Sequence, residues 1–339
     1  MPSSSQYLDA AGLRVHCWQQ GRGQPVVLLH GFPQTAWEWQ RVMDLLGDSF
    51  ALFAPDGRGF GGTDKPRIRV TLDLLARDVV RSMDALGLER VTLVGHDFGG
   101  MIATIAALEY PERFERVAIL DSTATVWMPW AAHGYWFKVA GLAEAFFAEH
   151  HEAFLNSVFL GADPEFPAMP IGPFPAGRQG TRTQWCDAES LKQYQACYAD
   201  PDSQWAAISY YRDALPFHRV HDDGRFELLQ PKSIEGMWNA DGGYFANECF
   251  GEFHAYAPER AQQRYDGPAL YLYTSVLNPA AFESPVRPEH LPVAGNPAAQ
   301  AFVDHFPALQ AIPVDGGHFI PEEQPKLVAE LLRKFIAAE

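Results

Sequence analysis

Cysteine is scarce in this chain and shows no pattern. Cys17, Cys186, Cys197 and Cys249 form no C-x-x-C pair and no regular spacing. That argues against a disulfide framework and leaves free thiols in a cytoplasmic protein as the simplest reading. Basic residues are outnumbered, 26 Lys and Arg against 42 Asp and Glu, for a net charge of −16. Such a balance opposes binding to nucleic acid or to an anionic membrane. No apolar run reaches the length of a membrane span. The opening residues, MPSSSQYLDAAG, lack the basic and apolar regions of a secretory signal. Internal repeats, low-complexity segments and charged tails are absent as well. What remains is an ordinary globular composition, with 47% hydrophobic and 20% charged residues over 339 positions.

The apolar runs have a strand–helix rhythm. Gln6–Asp9 and Leu13–Trp18 read as a hairpin. Pro25–Leu29, Phe50–Ala54, Val91–Val94 and Val117–Leu120 read as short strands, several of them continuous enough to be buried on both faces. Helical spacing covers Trp37–Leu46, Thr71–Leu86 (Thr71 or the residue before it a plausible cap) and Gly99–Tyr110. This alternation implies a parallel sheet with right-handed crossovers. It breaks from about Thr123 to Pro258, where aromatics, proline and glycine accumulate with helical stretches but no clear buried strand. It resumes with Ala269–Thr274, Leu309–Val314 and a final helix, Pro325–Ala338. The expected organisation is a core domain of residues 1–122 and 259–339 with an inserted lid, 123–258.

The most informative stretch is VTLVGHDFGG, Val91–Gly100. A strand stops at Gly95, Asp97 sits in G-x-D-x-G, and a helix follows. This is nucleophile-elbow spacing with aspartate in place of serine. An ionised carboxylate can displace a leaving group from a saturated carbon and form an alkyl ester on the enzyme. The other reading of Asp97 is an ordinary helix cap. His318, in DGGHFIPEEQP, follows the last strand and is the candidate general base for hydrolysing that ester. Asp121, after the strand ending at Leu120, is favoured to orient His318. The loop after Thr274 offers only Asn278 and Glu283, so Glu283 is the alternative acid. The HGFP turn, His30–Pro33, puts the Phe32 N–H beside that of Phe98 as a candidate oxyanion hole. No His or Cys cluster has ligand spacing, so no metal and no cofactor are expected.

Together HGFP, APDGRGFGGTDKP, GHDFGG and DGGHF resemble the α/β-hydrolase superfamily. More narrowly they are similar to its branch of epoxide hydrolases and dehalogenases with an aspartate nucleophile. The resemblance implies an α/β-hydrolase fold: a mostly parallel eight-stranded sheet flanked by helices, with an inserted, mainly helical lid. It also supports Asp121, which follows the nucleophile at the spacing of members whose acid comes after the sixth strand. Fluoroacetate dehalogenases carry arginines where this chain has Phe98 and Met101, and haloalkane dehalogenases carry side-chain donors at the Phe98 and Phe32 positions. Epoxide hydrolases share H-G-x-P and use lid tyrosines as proton donors. Here SYYRD, Ser209–Asp213, matches their N-W-Y-R segment, with Tyr211 as the tyrosine. The second donor is left open among Tyr135, His150 and His151, because Phe146 and Phe147 occupy its usual place. Trp127, Trp130, Trp136, Phe146 and Phe147 would line an apolar pocket. The expected reaction is hydrolysis of an epoxide to a diol, with a small-molecule substrate and water as partners and a homodimer compatible. Dehalogenation is the alternative, with Arg178, Arg182 or Arg212 as a carboxylate partner for a haloacid. A binding module on a hydrolase scaffold is the third reading.

Overall fold

A computed structural model of the protein describes residues 3–123, 134, 137–160, 185–215, 217–220, 223, 226–229, 253–254, 260, 262–274 and 302–338. The first strands, β1 (Ser4–Ala10) and β2 (Leu13–Gln20), form the expected hairpin. Then come β3 (Gln24–Leu29), α1 (Gln40–Leu46) after one 3-10 turn, β4 (Phe50–Pro55) and α2 (Leu72–Ala85). Thr71 does cap α2: its hydroxyl accepts from the Leu74 N–H at 3.1 Å. The elbow joins β5 (Val91–His96) to α3 (Phe98–Glu109), and β6 (Phe114–Leu120) closes the first half.

The middle of the chain contributes α4 (Leu142–Leu160), α5 (Ala188–Tyr198), α6 (Pro201–Ser209) and a π-helical turn, Tyr210–Ala214. It also contains strand, contrary to the expectation of helix without clear strands. β7 (Phe217–Val220), β8 (Phe226–Leu229) and β9 (Phe253–His254) make a small antiparallel sheet. Runs of two to four residues are too short to show a period of two, so the sequence gives them no signature.

Returning to the main sheet, β10 (Ala269–Tyr273) pairs with β6 and β11 (Leu309–Pro313) with β10. The chain then ends in a short α7 (Ile320–Glu323) and α8 (Pro325–Ile336). The eight strands run in the order β1-β2-β4-β3-β5-β6-β10-β11, parallel from β4 onward. Strands buried on both faces alternate between two cores. Val27, Leu29 and Leu93 join one cluster with α2 and α3, while Val26, Leu28 and Val94 join the other with α1 and α8. The first cluster continues into the insert through Phe147, Phe154, Tyr198 and Tyr211, so no polar layer separates sheet domain from insert there. Cys17, Cys186 and Cys197 are buried free thiols, and Cys249 lies outside the described residues. Among the described residues no helix is long and apolar enough to cross a membrane.

Candidate active site

Asp97 takes φ 50° and ψ −118° between β5 and α3. A non-glycine residue held there carries on the order of 1–3 kcal/mol of strain, so its surroundings must enforce it. They do so from both sides of the peptide. The Asp97 N–H donates to the Leu120 carbonyl at 3.1 Å, and its carbonyl accepts from Ser122 Oγ at 2.5 Å. The turn also needs bare backbone beside it. A Cβ on Gly99 would stand 2.2 Å from the Leu29 carbonyl oxygen, and one on Gly31 would stand 2.5 Å from Asp97 Cβ.

The carboxylate does not cap α3; no side-chain cap bond forms there. Its two oxygens instead face different partners. Oδ1 accepts from the Phe32 N–H at 2.7 Å. Oδ2 lies 3.4 Å from His318 Nε2. Phe98 is the first residue of α3, so its amide is among the first-turn donors that have no acceptor within the helix. Burial alone would raise the Asp97 pKa. The hydrogen bond and charge of His318, the charge of His96 and the Phe32 N–H outweigh burial, and Asp97 stays below the ordinary carboxylate range.

His318 is buried, and its Nδ1 bonds Asp121 Oδ2 at 2.6 Å. Asp121 is fully buried and its second oxygen, Oδ1, accepts from Thr274 N–H at 2.7 Å and from Thr274 Oγ1 at 2.8 Å. Both oxygens of that carboxylate thereby have donors. Burial pulls the His318 pKa down, but the hydrogen bonds and charges of Asp121 and Asp97 raise it to about 10. The loop that carries His318 is fixed by Glu323, whose Oε2 accepts from Gly317 N–H at 2.7 Å and whose Oε1 accepts from Phe319 N–H at 2.9 Å.

A second histidine, which sequence reasoning passed over, stands behind the first. His96 is fully buried beside the elbow, with Nε2 2.8 Å from the His318 carbonyl and Nδ1 3.0 Å from Glu38 Oε2. Burial lowers its pKa, but the charge and hydrogen bond of Glu38 bring it out above the ordinary value. The signal was present in G-H-D, where the residue before Asp97 ends β5 and must point away from the carboxylate.

The insert contributes aromatic rings. Tyr211, on the π-helical turn, is buried against Phe32, Phe98 and Phe137 with ring centroids 5.0, 4.8 and 4.8 Å away. Burial first, then the charge of Asp97 and the neighbouring Tyr198, push its phenol well above the ordinary value, so it is protonated at neutral pH. Tyr210 beside it points elsewhere, its hydroxyl donating to the Arg58 carbonyl at 3.0 Å. Phe146 and Phe147 are buried and pack on Phe154, with Phe147 also against Phe137. His150 is exposed at a kink in α4, and His151 bonds the Phe147 carbonyl at 3.0 Å. Arg212 is held by Glu144 at 2.6 Å and by the Phe137 carbonyl at 3.0 Å, pointing along the insert. Trp127, Trp130, Tyr135, Trp136, Arg178, Arg182, Asn278 and Glu283 lie outside the described residues.

Known proteins share both this fold and stretches of sequence. Residues 24–158 match the alpha/beta hydrolase fold family. A soluble epoxide hydrolase of Corynebacterium sp. (strain C12) is 40% identical over 110 residues, 32% of this chain and 38% of that enzyme. A fluoroacetate dehalogenase of Burkholderia sp. is 30% identical over 230 residues, covering 64% of this chain and 71% of that enzyme. The first of these matches therefore spans well under two thirds of its relative. Among solved structures, epoxide hydrolase A from Mycobacterium thermoresistibile superposes with a TM-score of 0.67 at 22% identity over 98% of both chains. With eight strands in this order and a dehalogenase matched over most of its length, the chain belongs to the α/β-hydrolase superfamily, in the branch that holds the epoxide hydrolases and dehalogenases.

Proposed function

We propose that this protein hydrolyses epoxides to diols through an ester on Asp97. The observation that carries the reading is the division of labour between the two Asp97 oxygens. Oδ2, beside His318 and with no backbone donor among the described residues, is the oxygen that attacks the epoxide carbon. Oδ1, already on the Phe32 N–H at 2.7 Å, then becomes the ester carbonyl oxygen. Water attack at Cγ moves negative charge onto that same atom. The amide is thus in place before the charge develops, a donor typically worth ~3 kcal/mol in the transition state. His318 removes the proton from water, oriented by Asp121 at 2.6 Å. Tyr211, protonated and within the field of Asp97, donates to the oxygen released when the ring opens. The insert, residues 123–258, serves as a lid whose aromatic rings exclude water during the first step.

Dehalogenation is the second reading, favoured by the length of the match to fluoroacetate dehalogenase. Against it stand Phe98 and Met101 immediately after the nucleophile, and Arg212, whose guanidinium is committed to Glu144. Turnover of styrene oxide, bromoacetate and a bromoalkane separates the two. Diol formation with no bromide release is expected. Bromide release without diol formation overturns the assignment. In His318→Gln the ester should accumulate, adding the mass of one styrene oxide to Asp97; an unmodified Asp97 under turnover conditions refutes the covalent route.

A further inference from the structure

The loop that carries His318 has two glycines in a row, Gly316 and Gly317, so neighbours must impose its shape. Two side chains do so. Glu323 accepts from the Gly317 and Phe319 N–H groups at 2.7 and 2.9 Å. His96, at the end of β5, donates from Nε2 to the His318 carbonyl at 2.8 Å. A carbonyl only accepts, so that nitrogen carries a proton. Nδ1 stands 3.0 Å from Glu38 Oε2, and both side chains are fully buried. The other Glu38 oxygen has no hydrogen-bond partner among the described residues, so His96 is the group that balances its charge. Each histidine of the site thus has a buried carboxylate of its own, Asp121 for His318 and Glu38 for His96. The two rings lie 5.0 Å apart.

We propose that Glu38 and His96 form a fixed carboxylate–imidazolium pair that positions His318 and drives its proton off once Asp97 is esterified. This rests on the epoxide-hydrolase reading. Before reaction, three carboxylates (Glu38, Asp97 and Asp121) surround the two rings, and both rings hold their charge. Burial pulls the His96 pKa down, but Glu38 and, less strongly, Asp97 bring it out above the ordinary value against the charge of His318. The other titratable groups nearby are engaged elsewhere. Tyr194 on α5 donates to Glu322 on α7 at 2.6 Å, and Glu323 is on the loop amides.

The ester removes the Asp97 charge and leaves two cations side by side with one carboxylate each, an arrangement that disfavours both. His96 has both nitrogens on acceptors and no exposed surface. His318 Nε2 instead loses the partner it had at 3.4 Å, Asp97 Oδ2. The proton therefore leaves His318, for the phenolate that ring opening leaves on Tyr211. The neutral ring next takes a proton from water as hydroxide adds to the ester carbon. It returns that proton to the diol oxygen as the C–O bond breaks, then recovers one from the Asp97 acid. Asp97 ends ionised, His318 charged and Tyr211 neutral, as they began. Glu38 and His96 are positioning residues, since they act only through His318.

Glu38→Gln separates charge from position. Its amide can donate to Nδ1 while Nε2 keeps its proton on the His318 carbonyl, so both bonds survive and only the charge goes. Ester hydrolysis is followed in single turnover of styrene oxide by the full chain, with rapid quench and intact mass. In Glu38→Gln its pH midpoint should rise by about one unit, ~10-fold less neutral His318 at a given pH below it, with the alkaline plateau unchanged. Glu38→Gln with His96→Phe also removes the carbonyl bond, without stranding a buried carboxylate. Its plateau should fall ~10–10²-fold, the scale for a misplaced catalytic group. Imidazole nitrogen NMR needs no substrate. Near neutral pH both His96 nitrogens should carry protons in the parent, and one in Glu38→Gln. A neutral His96 in the parent, an unmoved midpoint in folded Glu38→Gln, or an unchanged plateau in the folded double variant overturns the proposal while the epoxide reading stands. A parent that opens no epoxide overturns that reading and the proton release built on it, and the nitrogen spectra then decide the ion pair by themselves.

Discussion

Changing Asp121 to Asn tests the proposed base most directly, because the surroundings decide which way the amide must face. Asp121 Oδ1 receives two donors from Thr274, at 2.7 Å from its N–H and 2.8 Å from its hydroxyl. The hydroxyl can rotate and accept, but a backbone N–H cannot. An amide nitrogen placed on that side would face a fixed donor in a fully buried site, a loss of ~1–3 kcal/mol. The Asn oxygen therefore stays on Thr274 and its NH2 turns to His318. There, 2.6 Å from Nδ1 in the parent protein, it donates instead of accepts. His318 must then carry its proton on Nε2, the nitrogen that should take one from water. By analogy with a triad whose acid is amidated, ester hydrolysis should fall on the order of 10⁴-fold. Alkylation needs only an ionised Asp97 and should fall by less than about 10-fold, since the proposed role of His318 lies in the second step. Rapid-quench mass analysis during styrene oxide turnover should show the Asp97 ester accumulating. Equal loss of both steps, or hydrolysis within tenfold of the parent, would refute the tautomer argument.

Gly31→Ala should cut ester hydrolysis about 10²–10³-fold, because the new Cβ stands 2.5 Å from Asp97 Cβ and 2.9 Å from Oδ1 and pushes that oxygen off the Phe32 N–H; unchanged kcat would count against the hole. The two steps should also titrate separately in stopped-flow measurements. Alkylation should persist as pH falls through the ordinary aspartate value of 3.8, since the Asp97 pKa is lowered, whereas hydrolysis should rise to a plateau with a midpoint below 10, since the ester no longer raises His318 through the Asp97 charge. A hydrolysis midpoint at or above 10 contradicts this. Tyr194→Phe removes the 2.6 Å donor to buried Glu322 and should destabilise by about 1–3 kcal/mol in urea. Burial raises the Glu322 pKa to about 7, so this group withdraws stability as pH rises from its ordinary 4.5 through 7. The loss should therefore be larger at pH 8 than at pH 6, and equal losses would sink the assignment.

The centre of the sheet was legible because β3, β5, β6 and β10 are runs of mostly buried apolar residues between turn signals, and covering both faces leaves no other use for such a run. Its edges shifted by a residue or two where the ladder outlasts the apolar stretch, as at Gly95 and His96 of β5. Asp97, Asp121 and His318 were legible for a related reason: each stands at the carboxyl end of a strand, or on the loop after one, so its height above the sheet follows from the strand order. His96 and Glu38 were not. Glu38 and His96 are 58 residues apart and meet only through the packing of β5 on the turn before α1. The small sheet of β7, β8 and β9 escaped because pairing between distant short segments, not local pattern, defines it.

As the proposed general base, a His318 with a pKa of about 10 looks unsuited to work at neutral pH. Only about one molecule in 10³ would hold His318 neutral at pH 7. The difficulty belongs to the free enzyme alone. There the imidazolium lies between two carboxylates, Asp121 at 2.6 Å and Asp97 at 3.4 Å, and both favour the charged ring. That charge also keeps Asp97 ionised and ready to attack. In the proposed reaction alkylation would convert Asp97 to a neutral ester, removing one of the two causes that hold the proton on His318 while burial, which opposes the charge, remains. His96, whose pKa is itself raised by Glu38, stands 5.0 Å away, ring to ring, and the two rings disfavour each other's protonation. On that proposal His318 gives up its proton only after the ester forms, to the phenolate that ring opening leaves on Tyr211. On this reading His318 cannot activate water while the epoxide is still intact, so the order of the two steps follows from the charge on Asp97 itself.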